Sequence, residues 1–155
     1  MKNNYINIYN NLINLTRNKK LYSSINRNDD FSDRLIFFLL HFSFFLKNFK
    51  KKEDKKTLQE IYDFNFKQLE LSIREIGYGD QSINKKMKTY INLFHSMLSE
   101  IHYWDTSEKS KKVKIFQSFL SDYTDISTLI EYFDNFNNNL SKNTLNYFLK
   151  SVIKQ

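Results

Sequence analysis

Leu35-Ile36-Phe37-Phe38-Leu39-Leu40-His41-Phe42-Ser43-Phe44-Phe45-Leu46 is the densest apolar run of this 155-residue chain. Only His41 and Ser43 interrupt it. A bilayer span needs about 20 consecutive apolar residues, so a run of this length does not cross a membrane as a helix. Two placements remain: a central core helix, or a core helix with one face offered to lipid or to an apolar partner. Upstream, Asn28, Asp29, Asp30 and Ser32 supply N-cap candidates, because their short polar side chains can accept a hydrogen bond from a free first-turn N–H.

The segments on either side are helical in pattern. Tyr5, Ile8, Tyr9, Leu12 and Ile13 follow the i, i+3, i+4, i+7, i+8 spacing of an amphipathic helix. A second helical piece covers 19–26 around Leu21, Tyr22 and Ile25. After the apolar run, Lys47 to Lys56 holds six lysines and two acidic residues and reads as a solvated connection. Leu58, Ile61, Tyr62, Phe66, Leu69, Ile73 and Ile76 then form one stripe ending at Gly77. A long helix follows with Ile83, Met87, Tyr90, Ile91, Phe94, Leu98 and Ile101 on its buried face, capped by Asp80 or Ser82. Further helices are expected at 108–121, 126–137 and 142–153. No stretch alternates with the period of two that a strand requires. The expectation is an all-α single domain over 1–155, a compact bundle of about six to seven amphipathic helices.

Composition agrees and narrows the function classes. Proline is absent and there are two glycines, while 41% of residues are hydrophobic and 17% aromatic, too apolar for disorder and too poor in breakers for a β protein. Asn, Ile, Phe and Lys are abundant in the manner of an AT-rich genome, so the Asn137-Asn138-Asn139 run carries little weight. No cysteine is present, which removes disulfides, thiolate metal sites and cysteine nucleophiles. A formal charge of +7 and a pI of 9.4 favour an anionic partner, either nucleic acid or an anionic membrane face. The first residues show neither a secretory signal nor a transit peptide.

Catalytic patterns are missing. His95 and His102 share a helix face, but there is no HExxH and no carboxylate at ligand spacing, so no metal is expected. Arg34 and His41 also lie seven residues apart on one face, where an arginine must pair or snorkel; a capping or core ion pair is the ordinary reading. Gly77-Tyr78-Gly79 is too short for a dinucleotide fingerprint and follows a helix rather than a strand, which makes it a joint instead of a phosphate loop. Lys85, Lys86 and Lys88 stand out among the basic clusters because they are expected in the first two turns of a helix. There the macrodipole disfavours cations, so phosphates of lipid or RNA are natural acceptors.

The block around the glycines carries a family resemblance. Ile73-Arg74-Glu75-Ile76-Gly77-Tyr78-Gly79-Asp80, followed by Gln81-Ser82-Ile83-Asn84-Lys85-Lys86-Met87-Lys88, resembles the Leu-Arg-Glu-Met-Gly-Val-Gly-Asp, x-x-Val-x-Lys-Arg-Met-Lys signature of the ubiquinol-cytochrome c chaperone family. Arg34 and His41 fit its Gly-Arg-Phe-x-x-x-x-x-His pattern, with Asp29 at the preceding Asp, and Tyr9, Arg17 and Tyr22 fall on its N-terminal Tyr, Arg and Tyr. The likeness runs from about residue 8 to 100. Departures are Asp33 for Gly, Arg27-Asn28 for Val-Pro, and Phe94-His95-Ser96-Met97 for Phe-Tyr-Gly-Arg.

The resemblance implies a non-enzymatic assembly factor for the ubiquinol-cytochrome c reductase complex, without a cofactor, that binds newly made cytochrome b. It further implies work beside the ribosome or a small partner protein. In the bacterial form, the location would be cytoplasmic and peripheral at the inner face of the membrane. Arg34, His41, Arg74, Glu75, Tyr78, Asp80, Lys85, Lys86 and Lys88 are the expected partner or membrane contacts, with Gly77 and Gly79 as the structural joint. An exposed aromatic groove is the expected seat of an apolar client segment. The rivals are a helical protein that binds ribosomal RNA or other nucleic acid, and an enzyme of lipid or quinone with Arg34, His41 and Asp80 converging in a deep pocket.

Overall fold

The computed structural model describes residues 4–22 and 31–153, so the N-cap candidates Asn28, Asp29 and Asp30, the piece expected at 23–26 and the side chain of Ser32 lie outside the described residues. Among the described residues seven α-helices follow one another: α1 (Tyr5–Thr16), α2 (Phe31–Phe49), α3 (Lys55–Ile76), α4 (Asp80–Ile101), α5 (Lys109–Phe119), α6 (Ile126–Lys142) and α7 (Leu145–Leu149). Short 3-10 turns occupy Lys19–Tyr22 and Trp104–Thr106. No strand occurs among the described residues, as the sequence pattern requires.

α2 is the centre of the bundle. Leu35 and every residue from Phe37 to Phe45 are buried, and since successive helical residues point about 100° apart, burial of a continuous run means cover on all sides. The rings leave the helix in several directions to meet different neighbours. Phe42 stacks on Phe94 of α4 at 5.0 Å between centroids, Phe44 stacks on Phe133 of α6 at 5.2 Å, and Phe38 meets Tyr9 of α1 edge-on at 5.6 Å. Phe45 and Phe49 both present to Phe148 of α7. Offset and edge-to-face arrangements place the negative face of one ring against the positive edge of another, contributing about 0.5–1.5 kcal/mol per pair beyond burial itself.

The two polar interruptions are satisfied without water. Ser43 Oγ donates to the Leu40 carbonyl at 2.8 Å. His41 uses Nδ1–H toward the Phe37 carbonyl at 2.6 Å, which leaves Nε2 to accept from the Tyr132 hydroxyl at 2.7 Å. These bonds remove the cost of burying the groups, so α2 needs no solvent-facing side.

The connection expected over 47–56 is solvated but shorter, 50–54: Lys50, Lys51, Lys52, Lys55 and Lys56 are exposed, while Lys47 still belongs to α2. Lys47 is nearly buried and pairs with Asp105 at 3.0 Å. Lys52 donates to the carbonyls of Leu140, Ser141 and Asn143 at 3.3, 2.8 and 3.2 Å, closing the C-terminal end of α6. Those last carbonyls lack intrahelical donors and sit at the negative pole of the helix, where a cation is favourable. Asn137 is likewise no compositional filler: it is buried, donates to Asp105 at 2.6 Å and accepts from Asn48 at 2.8 Å.

α7 is much shorter than the 142–153 the periodicity suggests. The buried Asn11 of α1 donates to the carbonyls of Phe148 and Ser151 and accepts from the Ile153 N–H at 2.7 Å. One side-chain amide thereby occupies the backbone groups that a continuing helix would have used.

Candidate functional site

The elbow between α3 and α4 gathers most of the residues expected to contact a partner. α3 remains buried at Ile73, and from Arg74 to Ser82 every residue is exposed. Ile76, expected on the apolar stripe, is 52% exposed, because α3 has outrun the core by its last turn. Gly77 stops the helix in the left-handed region with φ 108°, its N–H donating to the Arg74 carbonyl at 2.9 Å. Gly79 is different: φ −76° and ψ 166° make it extended backbone, and its carbonyl accepts the first α4 bond, from Ile83 N–H at 2.9 Å.

That geometry corrects the expected cap. Gly79 holds the N-cap position without any side-chain bond, and Asp80 is already the first helical residue. Its carboxylate is engaged by Arg74, whose Nη1 donates to Oδ1 at 2.6 Å, tying the end of α3 to the start of α4. Arg74 Nε also lies 3.5 Å from Glu70. The hydrogen bond to Asp80 is the first cause holding the Arg74 guanidinium above its ordinary value, with Glu70 adding to it. Because α4 begins at Asp80, Lys85, Lys86 and Lys88 fall in its second and third turns, past the reach of the N-terminal dipole. The dipole argument for their use therefore lapses, and the surroundings of the lysines replace it.

Tyr78, Ser82, Lys85, Lys86, Thr89 and Tyr90 line an open groove of about 500 Å³. Lys86 Nζ lies 4.5 Å from the centroid of the half-exposed Tyr78 ring, a cation–π contact. Among the described residues neither Lys85, Lys86 nor Lys88 forms an ion pair, unlike Lys47, Lys67 and Lys112. Ser82, expected as a possible cap, Tyr90, expected on the buried face, and Thr89, which was passed over, are the further members of the lining. Their signal was present, since Ser82, Lys86 and Tyr90 repeat at i, i+4, i+8 and Lys85 with Thr89 at i, i+4, which places them along one side of α4.

Other expected contact residues lie elsewhere. Arg34 is exposed in the first turns of α2, whereas His41 has no exposed surface and serves the core through Tyr132. Spacing puts the two on one face, but the helices packed on α2 cover His41 and not Arg34. Burial pushes the His41 imidazole down to about 4, so it is neutral at pH 7. His41 belongs to Tyr132 and Phe37, and Asp80 to Arg74, so the deep pocket joining them with Arg34 is not formed. Glu75 is exposed beside the elbow and Lys88 is exposed on α4. The aromatic groove expected for an apolar client is not built from α2, whose rings are consumed by the core.

Among the described residues no group of three or more histidines and carboxylates could hold a metal, and no helix is long and apolar enough to cross a membrane. His95 is exposed and bonded to the Tyr62 hydroxyl at 3.0 Å. A family model described as "Ubiquinol-cytochrome C chaperone" matches residues 23–104, more than half of the chain. The span takes in α2, α3, the elbow and α4 and ends at Trp104; Tyr9, Arg17 and Tyr22 precede it. No curated protein and no solved structure matches the chain.

Proposed function

The chain belongs to the ubiquinol-cytochrome C chaperone family, and from that premise we propose that it is an assembly factor of the ubiquinol-cytochrome c reductase complex, engaging newly made cytochrome b at the inner face of the membrane. The observation that carries this reading is the position of the match: residues 23–104 comprise the central helix and the elbow with both its arms. A role without bond chemistry suits the arrangement, since the titratable groups of the elbow neutralise each other or face solvent instead of converging on a reacting centre.

The elbow is the proposed contact surface. Leu71, Ile76 and Tyr78 are exposed large hydrophobic residues at 41, 52 and 42%. They give an apolar client something to rest on, while Lys86, packed on the Tyr78 ring, and Lys85 and Lys88 on the same helix would meet an anionic surface. Arg74 with Asp80 would hold the two arms at a constant angle, and Glu75 adds an exposed carboxylate at the rim. Whether a small partner protein or the ribosome shares this surface is decided by capture of the complex from cells.

Deletion of the gene, with measurement of cytochrome b and assembled reductase, tests the reading. Loss of both, restored by the intact gene, is the expected result. Normal amounts of cytochrome b and reductase in the deletion strain would overturn it.

A further inference from the structure

We propose that the groove at the elbow is a binding site for a phosphoester anion, the phosphate lying between Lys85 and Lys86. Two ammonium groups line it and neither is spent on a carboxylate. Of the acidic residues of the elbow, Asp80 is bonded to Arg74, so its charge is offset where it stands, and the exposed Glu75 is not part of the groove lining. The groove is therefore positive without internal compensation.

Tyr78 gives the site its order. A lysine ammonium on a four-carbon stem is ordinarily mobile, and ordering it by a carboxylate would cancel its charge. The Tyr78 ring 4.5 Å away holds Lys86 through its quadrupole while leaving the full positive charge for a ligand. Hydroxyls complete the lining. Thr89 Oγ1 is engaged with the Lys85 carbonyl at 3.1 Å, whereas the Ser82 and Tyr90 hydroxyls have no protein partner among the described residues and remain available as donors. Two cations with two O–H donors match the several acceptor oxygens of one phosphate. The groove, about 500 Å³ and open to solvent, has room for a phosphate with its ester substituent. The ester oxygen can belong to a lipid headgroup or to a soluble glycerol or sugar phosphate, and the chemistry of recognition is shared.

The test uses the purified full-length protein and is independent of cytochrome b, so its outcome is separable from that of the deletion experiment. Glycerol 3-phosphate is titrated calorimetrically, and phosphatidylglycerol vesicles are compared with phosphatidylcholine vesicles by co-sedimentation. Binding to phosphatidylglycerol alone assigns the lipid; binding to glycerol 3-phosphate as well assigns the free phosphoester. In either arm Lys85→Ala/Lys86→Ala is expected to weaken binding roughly 30-fold, from about 1 kcal/mol per lysine. Tyr78→Ala is expected to weaken it severalfold, and Tyr78→Phe to leave it nearly unchanged. A pair on another helix, Lys111→Ala/Lys114→Ala, removes equal charge and should change it less than about twofold. All these positions are exposed or half-exposed, and unchanged helical circular dichroism verifies the fold. Absence of binding in both arms overturns the proposal, as does equal loss in the control pair. Tighter binding of a short RNA with the same dependence on Tyr78 also overturns it, in favour of nucleic acid.

Discussion

Replacing Phe42 by alanine separates the two placements that the apolar run allowed. Phe42 is fully buried, with its ring 5.0 Å from Phe94, 6.0 Å from Phe66 and 6.1 Å from Phe38. Removing it deletes a buried ring and leaves a cavity walled by three other rings that are anchored on separate helices and cannot readily close on it. Such substitutions cost about 3–5 kcal/mol. Native domains have about 5–15 kcal/mol in total, so roughly a fifth or more of the stability is at stake. For a domain of this length the melting temperature should fall by roughly 6–20 °C. Urea denaturation followed by circular dichroism measures the loss. The cycle with Phe94→Ala should return a coupling of about 0.5–1.5 kcal/mol for the stacked pair. A loss below about 1 kcal/mol, with a drop in client or vesicle binding instead, would mean that this face of α2 is offered outward and that the core has been misassigned.

The neutral buried His41 makes stability depend on pH. Its folded value, about 4, lies below the ordinary 6.5, so the unfolded chain binds more protons between these limits. Stability should fall as pH drops from 6.5 toward 4, on the order of 3 kcal/mol in all; His41→Gln should flatten urea midpoints over that window, and an unchanged pH slope would refute the assignment. Gly77→Ala should cost about 1 kcal/mol or more because φ is 108°, whereas Gly79→Ala, extended and with open space around its Cβ position, should be neutral or slightly stabilising. Equal effects in thermal melts would contradict the left-handed stop at Gly77 alone. Asn11→Ala should cost about 1–3 kcal/mol by stripping partners from the buried Phe148 carbonyl and from the part-buried backbone of Ser151 and Ile153 just after α7, and hydrogen exchange there should accelerate; protection equal to the parent would show that α7 is held by its apolar contacts.

The helical class, the order of the elements and the stop at Gly77 were legible in local pattern, since each follows from spacing within one turn or from the conformational freedom of one residue. The cap expected at Asp80 or Ser82 falls at Gly79 instead, and the Asp80 carboxylate is taken by Arg74 of the preceding helix. Lys52 and Asn137 looked like solvated charge and compositional bias; Lys52 reaches the Leu140 carbonyl 88 residues away, and Asn137 bonds to Asp105 and Asn48, at separations of 32 and 89. Nothing in a local window reveals which carbonyls or amides will arrive beside a given side chain.

The same division holds for the site. Arg74, Gly77, Tyr78, Asp80, Lys85 and Lys86 form one sequence block, so their assembly at the elbow was readable from the chain, as was the family motif they carry. His41 and Arg34 share a helical face in sequence, yet only packing could separate them, since burial is a property of what lies opposite. By itself the sequence determined that this chain forms helices, where one of them must end, and that its net charge is positive. The tertiary structure decided that α2 is enclosed on every side from Phe37 to Phe45 and that Lys47 and Lys52 are bonded to partners within the chain while Lys85 and Lys86 form no ion pair. The physical reason is that helix formation is a matter of local hydrogen bonds and spacing, whereas the value of a charge or an aromatic ring depends on neighbours that distant parts of the chain supply.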